Sequence, residues 1–154
     1  MVGKNGGGAG GVGLTVLTPE PVAAGREGGS PLFLEKISAG FPSPAEGYVQ
    51  DFLDLQRLVV KNPAATFFLR VAGDSMTEAD IHDGDLLVVD RSKPAVSGKI
   101  VIASLDGELT VKRLKAKNKR LFLVPENPGY PETDITERED TVVWGVVTYV
   151  VHKV

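Results

Sequence analysis

Asp106-Gly107 separates two β-prone runs, Ile100–Leu105 and Glu108–Ala116, and this spacing constrains the chain more than any other feature. Two residues between such runs favour a type I′ turn, whose central residues take positive φ and whose second position suits glycine. The two runs are therefore expected to pair antiparallel. The same pattern recurs elsewhere. Thr66–Ala72 is β-branched and aromatic, and Asp85–Asp90 follows the Asp83-Gly84 turn. Arg120–Val124 follows a turn begun at Asn118, and Thr141–Val151 is the longest β-prone run. Ile100–Leu105 has no polar alternation and is expected to be a central strand covered on both faces. Helical signals are brief. Phe52, Leu55 and Val59 recur at helical spacing within Tyr48–Val60, with Asp51 or Asp54 as cap and an end before Asn62-Pro63. Ser75–Ile81 reads as a short helical turn. The fold class is a mostly β domain of antiparallel sheets with one or two short helices, without βαβ alternation or internal repeats.

The first thirty residues differ from the rest. They hold ten of the 18 glycines, and their weak apolar spacing cannot offset the entropy of ordering them. They read as a flexible Gly/Pro-rich arm. Pro31–Ser38 has enough apolar character to pair as a strand. Ala39-Gly40 follows it and leads into Phe41-Pro42-Ser43-Pro44, where the prolines impose extended or turn geometry. At 154 residues the chain suits one domain. No apolar run is long enough to span a bilayer, and Lys4 is followed by glycines rather than a signal-peptide core. Zero cysteines exclude disulfides and thiol chemistry and fit a reducing compartment. A net charge of −3 argues against a primary role in gripping nucleic acid.

Ser75 lies in Gly73-Asp74-Ser75-Met76, after a β run and at the start of a helical turn. That geometry lifts a hydroxyl out of a sheet and turns the N–H groups of Asp74 and Ser75 toward it, as an oxyanion hole requires. A serine nucleophile needs a base. Lys112 lies 37 positions later on a β run, sharing a face with Thr110 and Leu114. A free lysine titrates near 10.4, so this one must be buried to serve as a base at neutral pH. Most Gly-x-Ser turns and strand lysines are structural, and spacing alone leaves that reading open. His82, the nearer of two histidines, offers a rival Ser–His pairing. Asp80, Asp83, Asp85 and Asp90 lack the spacing of a calcium loop and read as turn chemistry. The basic residues Arg113, Lys115, Lys117, Lys119 and Arg120 read as a solvated face, partly balanced by the acidic stretch Glu132–Asp140.

Several blocks in order resemble the UmuD branch of the LexA-like family of self-cleaving serine peptidases. They are Gly40-Phe41-Pro42-Ser43-Pro44-Ala45, Gly73-Asp74-Ser75-Met76, Asp83–Asp90, Gly107–Leu114, Pro125-Glu126-Asn127 and Trp144-Gly145-Val146-Val147. The resemblance covers Ser38 to the C-terminus. It implies a LexA-like peptidase fold over residues 40–154 and an arm, residues 1–39, removed by cleavage of Ala39-Gly40. It implies Ser75 as nucleophile and Lys112 as general base, with no metal and no cofactor. It further implies a cytoplasmic homodimer, stimulation by a RecA–single-stranded-DNA filament, and a Y-family, UmuC-like DNA polymerase as partner in the SOS response. Neither a membrane nor direct DNA binding is expected. Two departures stand out: a glycine-rich extension with no counterpart, and an arm without the helical periodicity of a helix-turn-helix. An inactive interaction module on the same fold is the alternative.

Overall fold

The computed structural model describes residues 29–33, 37, 39–40 and 49–154. Of the predicted flexible arm, residues 1–39, the stretch 1–28 lies outside the described residues, as does the Phe41–Pro44 geometry. The chain divides into two compact units, Met1–Asp54 and Leu55–Val154. In the first, β1 (Ser30–Phe33) pairs antiparallel with β2 (Val49–Leu53), with Ser30 opposite Leu53 and Leu32 opposite Asp51. The predicted strand within Pro31–Ser38 is thus present over Pro31–Phe33, and residues 34–36 and 38 lie outside the described residues. The helical reading of Tyr48–Val60 is corrected in part. Phe52 belongs to β2, and the helix α1 spans only Leu55–Val59. Cross-strand pairing with β1 outweighs the weak helical spacing of so short a segment.

The second unit is a seven-stranded sheet. Its strands are β3 (Thr66–Arg70), β4 (Leu86–Asp90), β5 (Ile100–Leu105), β6 (Glu108–Lys117), β7 (Arg120–Val124), β8 (Thr133–Asp134) and β9 (Val142–Val151). They lie in the order β3-β4-β9-β5-β6-β7-β8, and every pairing is antiparallel. The Asp106-Gly107 turn joins β5 to β6 with φ of 51° and 82°, as a type I′ turn requires. β5 occupies the middle of the sheet. Val101 and Ile102, adjacent and so on opposite faces, enter two different apolar clusters. One cluster contains Val71, Met76, Ile81, Leu87, Val89 and Ile102. The other contains Val101, Ala103, Leu114, Leu123, Ile135 and Val146.

The predicted helical turn at Ser75–Ile81 is a single 3-10 turn, Thr77–Ala79. Met76 and Ile81 bracket it, and each is only 1% exposed. Burying side chains of that size is worth about 1.5–3 kcal/mol each, so both ends of the turn are anchored in the core. Gly145 lies opposite Ile102 where β9 crosses β5. A Cβ there would stand 2.8 Å from Val89 Cγ1 and 3.2 Å from the Asp90 carbonyl, so the close approach admits no side chain. Among the described residues no helix is long and apolar enough to cross a membrane.

Candidate active site

The end of β3 delivers the chain into a turn held from three sides. The Val71 N–H donates to the Asp85 carbonyl at 2.8 Å, and the Gly84 N–H donates back to the Val71 carbonyl at 2.9 Å. Gly73, at φ +95°, donates its N–H to Asp83 Oδ1 at 2.7 Å. Asn127 Nδ2 donates to the Asp74 carbonyl at 2.8 Å, and the Tyr130 hydroxyl donates to Asp74 Oδ1. The Glu126 N–H donates to the Ser75 carbonyl at 2.9 Å, while the Glu126 carbonyl accepts from the Glu78 N–H at 2.8 Å. Ser75 itself is half-buried, with Met76 driven into the core beside it.

β6 brings Lys112 to this turn. Lys112 Nζ lies 2.8 Å from Ser75 Oγ, 2.9 Å from Thr110 Oγ1 and 3.0 Å from the Val111 carbonyl. A neutral amine has two donor hydrogens and one lone pair. Val111 O can only accept, and Thr110 can accept as well. With its two hydrogens on Val111 O and Thr110 Oγ1, a neutral Lys112 can turn its lone pair to the Ser75 hydroxyl and accept its proton. No carboxylate pairs with Lys112 among the described residues. Burial, which disfavours the charged form, holds its pKa below the usual lysine value. Burial and the missing carboxylate favour the uncharged amine, while the three oxygen contacts suit the ammonium that forms when the lysine takes a proton.

Neither the Asp74 nor the Ser75 N–H donates to an acceptor among the described residues, which leaves both available to an oxyanion. Beside Ser75 lies a cleft of about 200 Å3 with mixed walls, apolar at Leu69, Val71, Leu109 and Val111 and polar at Arg70 and Thr110. Ala39 and Gly40 belong to the first unit, where both lie in an exposed bend.

The rival pairing finds no support, because no hydrogen bond joins His82 to Ser75 among the described residues. His82 instead lies against His152, their ring centroids 5.2 Å apart. The acids of the 80–90 stretch are largely taken up locally. Asp83 holds Gly73, and Asp90 accepts from the Ser92 N–H and hydroxyl at 2.8 and 2.6 Å. The basic stretch is partly neutralised by ion pairs of Lys117 with Glu132 and Arg120 with Asp134. Sequence reasoning missed the supporting roles of Thr110, Glu126 and Asn127, and the meeting of His82 with His152. The Pro125-Glu126-Asn127 block was legible as a signature, but its bonds to Ser75 span about fifty residues and leave no local pattern.

The Peptidase S24-like family profile matches residues 31–148. The chain belongs to the Peptidase S24-like family. The S24 chain is 50% identical to the protein SamA of Salmonella typhimurium over 124 residues, 80% of this chain and 86% of that protein. It is 48% identical to the protein MucA of Escherichia coli over 131 residues, 84% of this chain and 89% of that protein. It is 41% identical to the LexA repressor of Stenotrophomonas maltophilia over 113 residues, 73% of this chain and 53% of the repressor. The predicted UmuD-type, LexA-like resemblance and the mostly β antiparallel fold are thus borne out.

Proposed function

We propose that this S24 chain is a self-cleaving Ser–Lys peptidase that cuts its own Ala39-Gly40 bond and so removes residues 1–39 as a separate arm. The observation that carries this reading is the 2.8 Å contact between the half-buried Lys112 amine and the Ser75 hydroxyl. In the first step Lys112 Nζ takes the hydroxyl proton as Ser75 Oγ attacks the Ala39 carbonyl carbon. The Asp74 and Ser75 N–H groups hold the resulting oxyanion. Collapse breaks the Ala39–Gly40 C–N bond, and the Lys112 ammonium returns its proton to the departing Gly40 nitrogen. Lys112 then deprotonates a water, which hydrolyses the Ala39 ester and frees Ser75. A scissile bond carried on the same chain makes the attack effectively unimolecular, so a modest base suffices.

In this reading the reaction belongs to a cytoplasmic SOS response. A RecA–single-stranded-DNA filament promotes cleavage, and the shortened chain, as a homodimer, serves a Y-family translesion polymerase. Likeness to the proteins MucA and SamA and to the LexA repressor supports that setting. The deciding experiment is incubation of the purified chain at alkaline pH, followed by intact-mass analysis. Loss of the first 39 residues from the wild type, but not from Ser75→Ala, is the expected result. A wild-type chain that stays whole at high pH and with RecA filament overturns the reading.

A further inference from the structure

Behind the Ser75 turn, on the far side of the 82–85 loop, three side chains converge without a role in the chemistry above. Asp85 is 3% exposed. Its Oδ2 accepts the His82 main-chain N–H at 2.8 Å, and its Oδ1 lies 2.6 Å from His152 Nδ1. No lysine or arginine pairs with it among the described residues. His82 Nδ1 is buried, has no hydrogen-bond partner and lies 3.8 Å from Asp85 Oδ2, too far for a hydrogen bond. An orphaned ring nitrogen aimed at a buried carboxylate is costly, and a cation between them removes that cost.

We propose that His82, Asp85 and His152 form a binding site for a divalent transition-metal ion, with Zn2+ as the best fit. Two imidazole nitrogens and one carboxylate oxygen match the borderline ligand set that Zn2+ prefers. The three donor atoms already lie within 4.8 Å of one another. Tetrahedral zinc at ordinary bond lengths needs them about 3.4 Å apart, so the 2.6 Å contact of Asp85 with His152 must open and the 3.8 Å gap to His82 must narrow, each by less than about 1 Å. His152 can supply them, since it is half-exposed and follows the last residue of β9. Both histidine side chains are about half-exposed, so water can reach the site as a fourth ligand.

The site ties the end of β9 to the loop that fixes the Ser75 turn, through Asp83 to Gly73 and through the Asp85 carbonyl to Val71. Its expected effect is therefore stability of that turn, separate from the cleavage chemistry. The chain has only two histidines and no cysteine, so a nitrogen-ligated ion has one place to bind. The test titrates ZnCl2 into the full chain by calorimetry and follows Tm, with CoCl2 as an optical probe. The wild type should bind one Zn2+, with Tm rising by roughly 10 °C when free zinc stands about a hundredfold above Kd. Co2+ should give the intense visible bands of a four-coordinate site. His152→Ala, an exposed change outside the core, should weaken zinc binding by about tenfold or more, and His82→Ala should do the same. The proposal is overturned if the wild type takes up no zinc, or if His152→Ala binds it as tightly as the wild type.

Discussion

Lys112 Nζ stands 2.8 Å from Ser75 Oγ across a sequence separation of 37 residues. The contact joins the middle of β6 to the turn after β3. Removing the hydroxyl leaves the surroundings almost unchanged, because the Glu126 N–H still holds the Ser75 carbonyl. Ser75→Ala should therefore stay folded, with stability within about 1 kcal/mol of the wild type, while cleavage falls to background. Thermal unfolding and gel analysis of the same samples check both halves. An alanine variant that still loses its arm removes Ser75 from the mechanism.

The state of Lys112 predicts a pH dependence with a definite sign. Burial lowers its folded pKa, whereas in the unfolded chain a lysine titrates near 10.4. Between those values the unfolded chain holds more protons, so stability rises with pH; below the folded value the full cost of burying the charge is present. Lys112→Met removes the term. Its stability advantage should be largest near neutrality and shrink as pH rises toward about 10.4. Cleavage by the wild type should climb with pH through the folded pKa of Lys112. Parallel urea titrations and cleavage time courses measure both, and a rate that falls across that range contradicts the assignment of the base.

Glu126 couples the Ser75 turn to β6. Its main chain bonds to Ser75 and Glu78, and its carboxylate pairs with Arg113, next to Lys112. Glu126→Ala should cost about 1 kcal/mol in urea unfolding, discounted because both side chains are partly exposed, and should slow cleavage several-fold. Glu126→Gln, which keeps an acceptor for Arg113, should recover part of the rate. If stability falls while the rate holds, Glu126 supports the fold without positioning Ser75.

The sequence is most legible where local chemistry decides. Asp106-Gly107 and Asp83-Gly84 mark turns because few other residues tolerate those backbones, and the strands flanking them follow. Lys119 is less legible: it sits at φ +64° after Asn118, a place where glycine is the ordinary choice. β8 has only two residues and exists because Thr133 and Asp134 pair with β7, so the acidic stretch gives no strand signal of its own. Ser75 and Lys112 were readable as a candidate pair from residue type and family likeness. Thr110, the second hydroxyl on the amine, was readable only as a neighbour on the same face. The approach of His152 to Asp85 spans 67 residues and leaves nothing in either local sequence.

Gly145→Ala tests the close approach of β9 to Val89 and Asp90. The added methyl meets Val89 Cγ1 and the Asp90 carbonyl, and the latter cannot rotate away. Overpacking of this kind costs about 1–3 kcal/mol, so urea unfolding should shift to lower midpoint with unchanged m. A variant as stable as the wild type contradicts the packing described at that crossing.

β9 lies between β4 and β5, and Leu86 finds its partner at Val151. β9 is the one strand that joins two ribbons, β3 with β4 on one side and β5 with β6 to β8 on the other. Continuity across the sheet thus rests on the last strand in the sequence, a long-range pairing of the kind that slows folding. Loss of β9 would bare an edge on each ribbon, where another chain's strand can intrude.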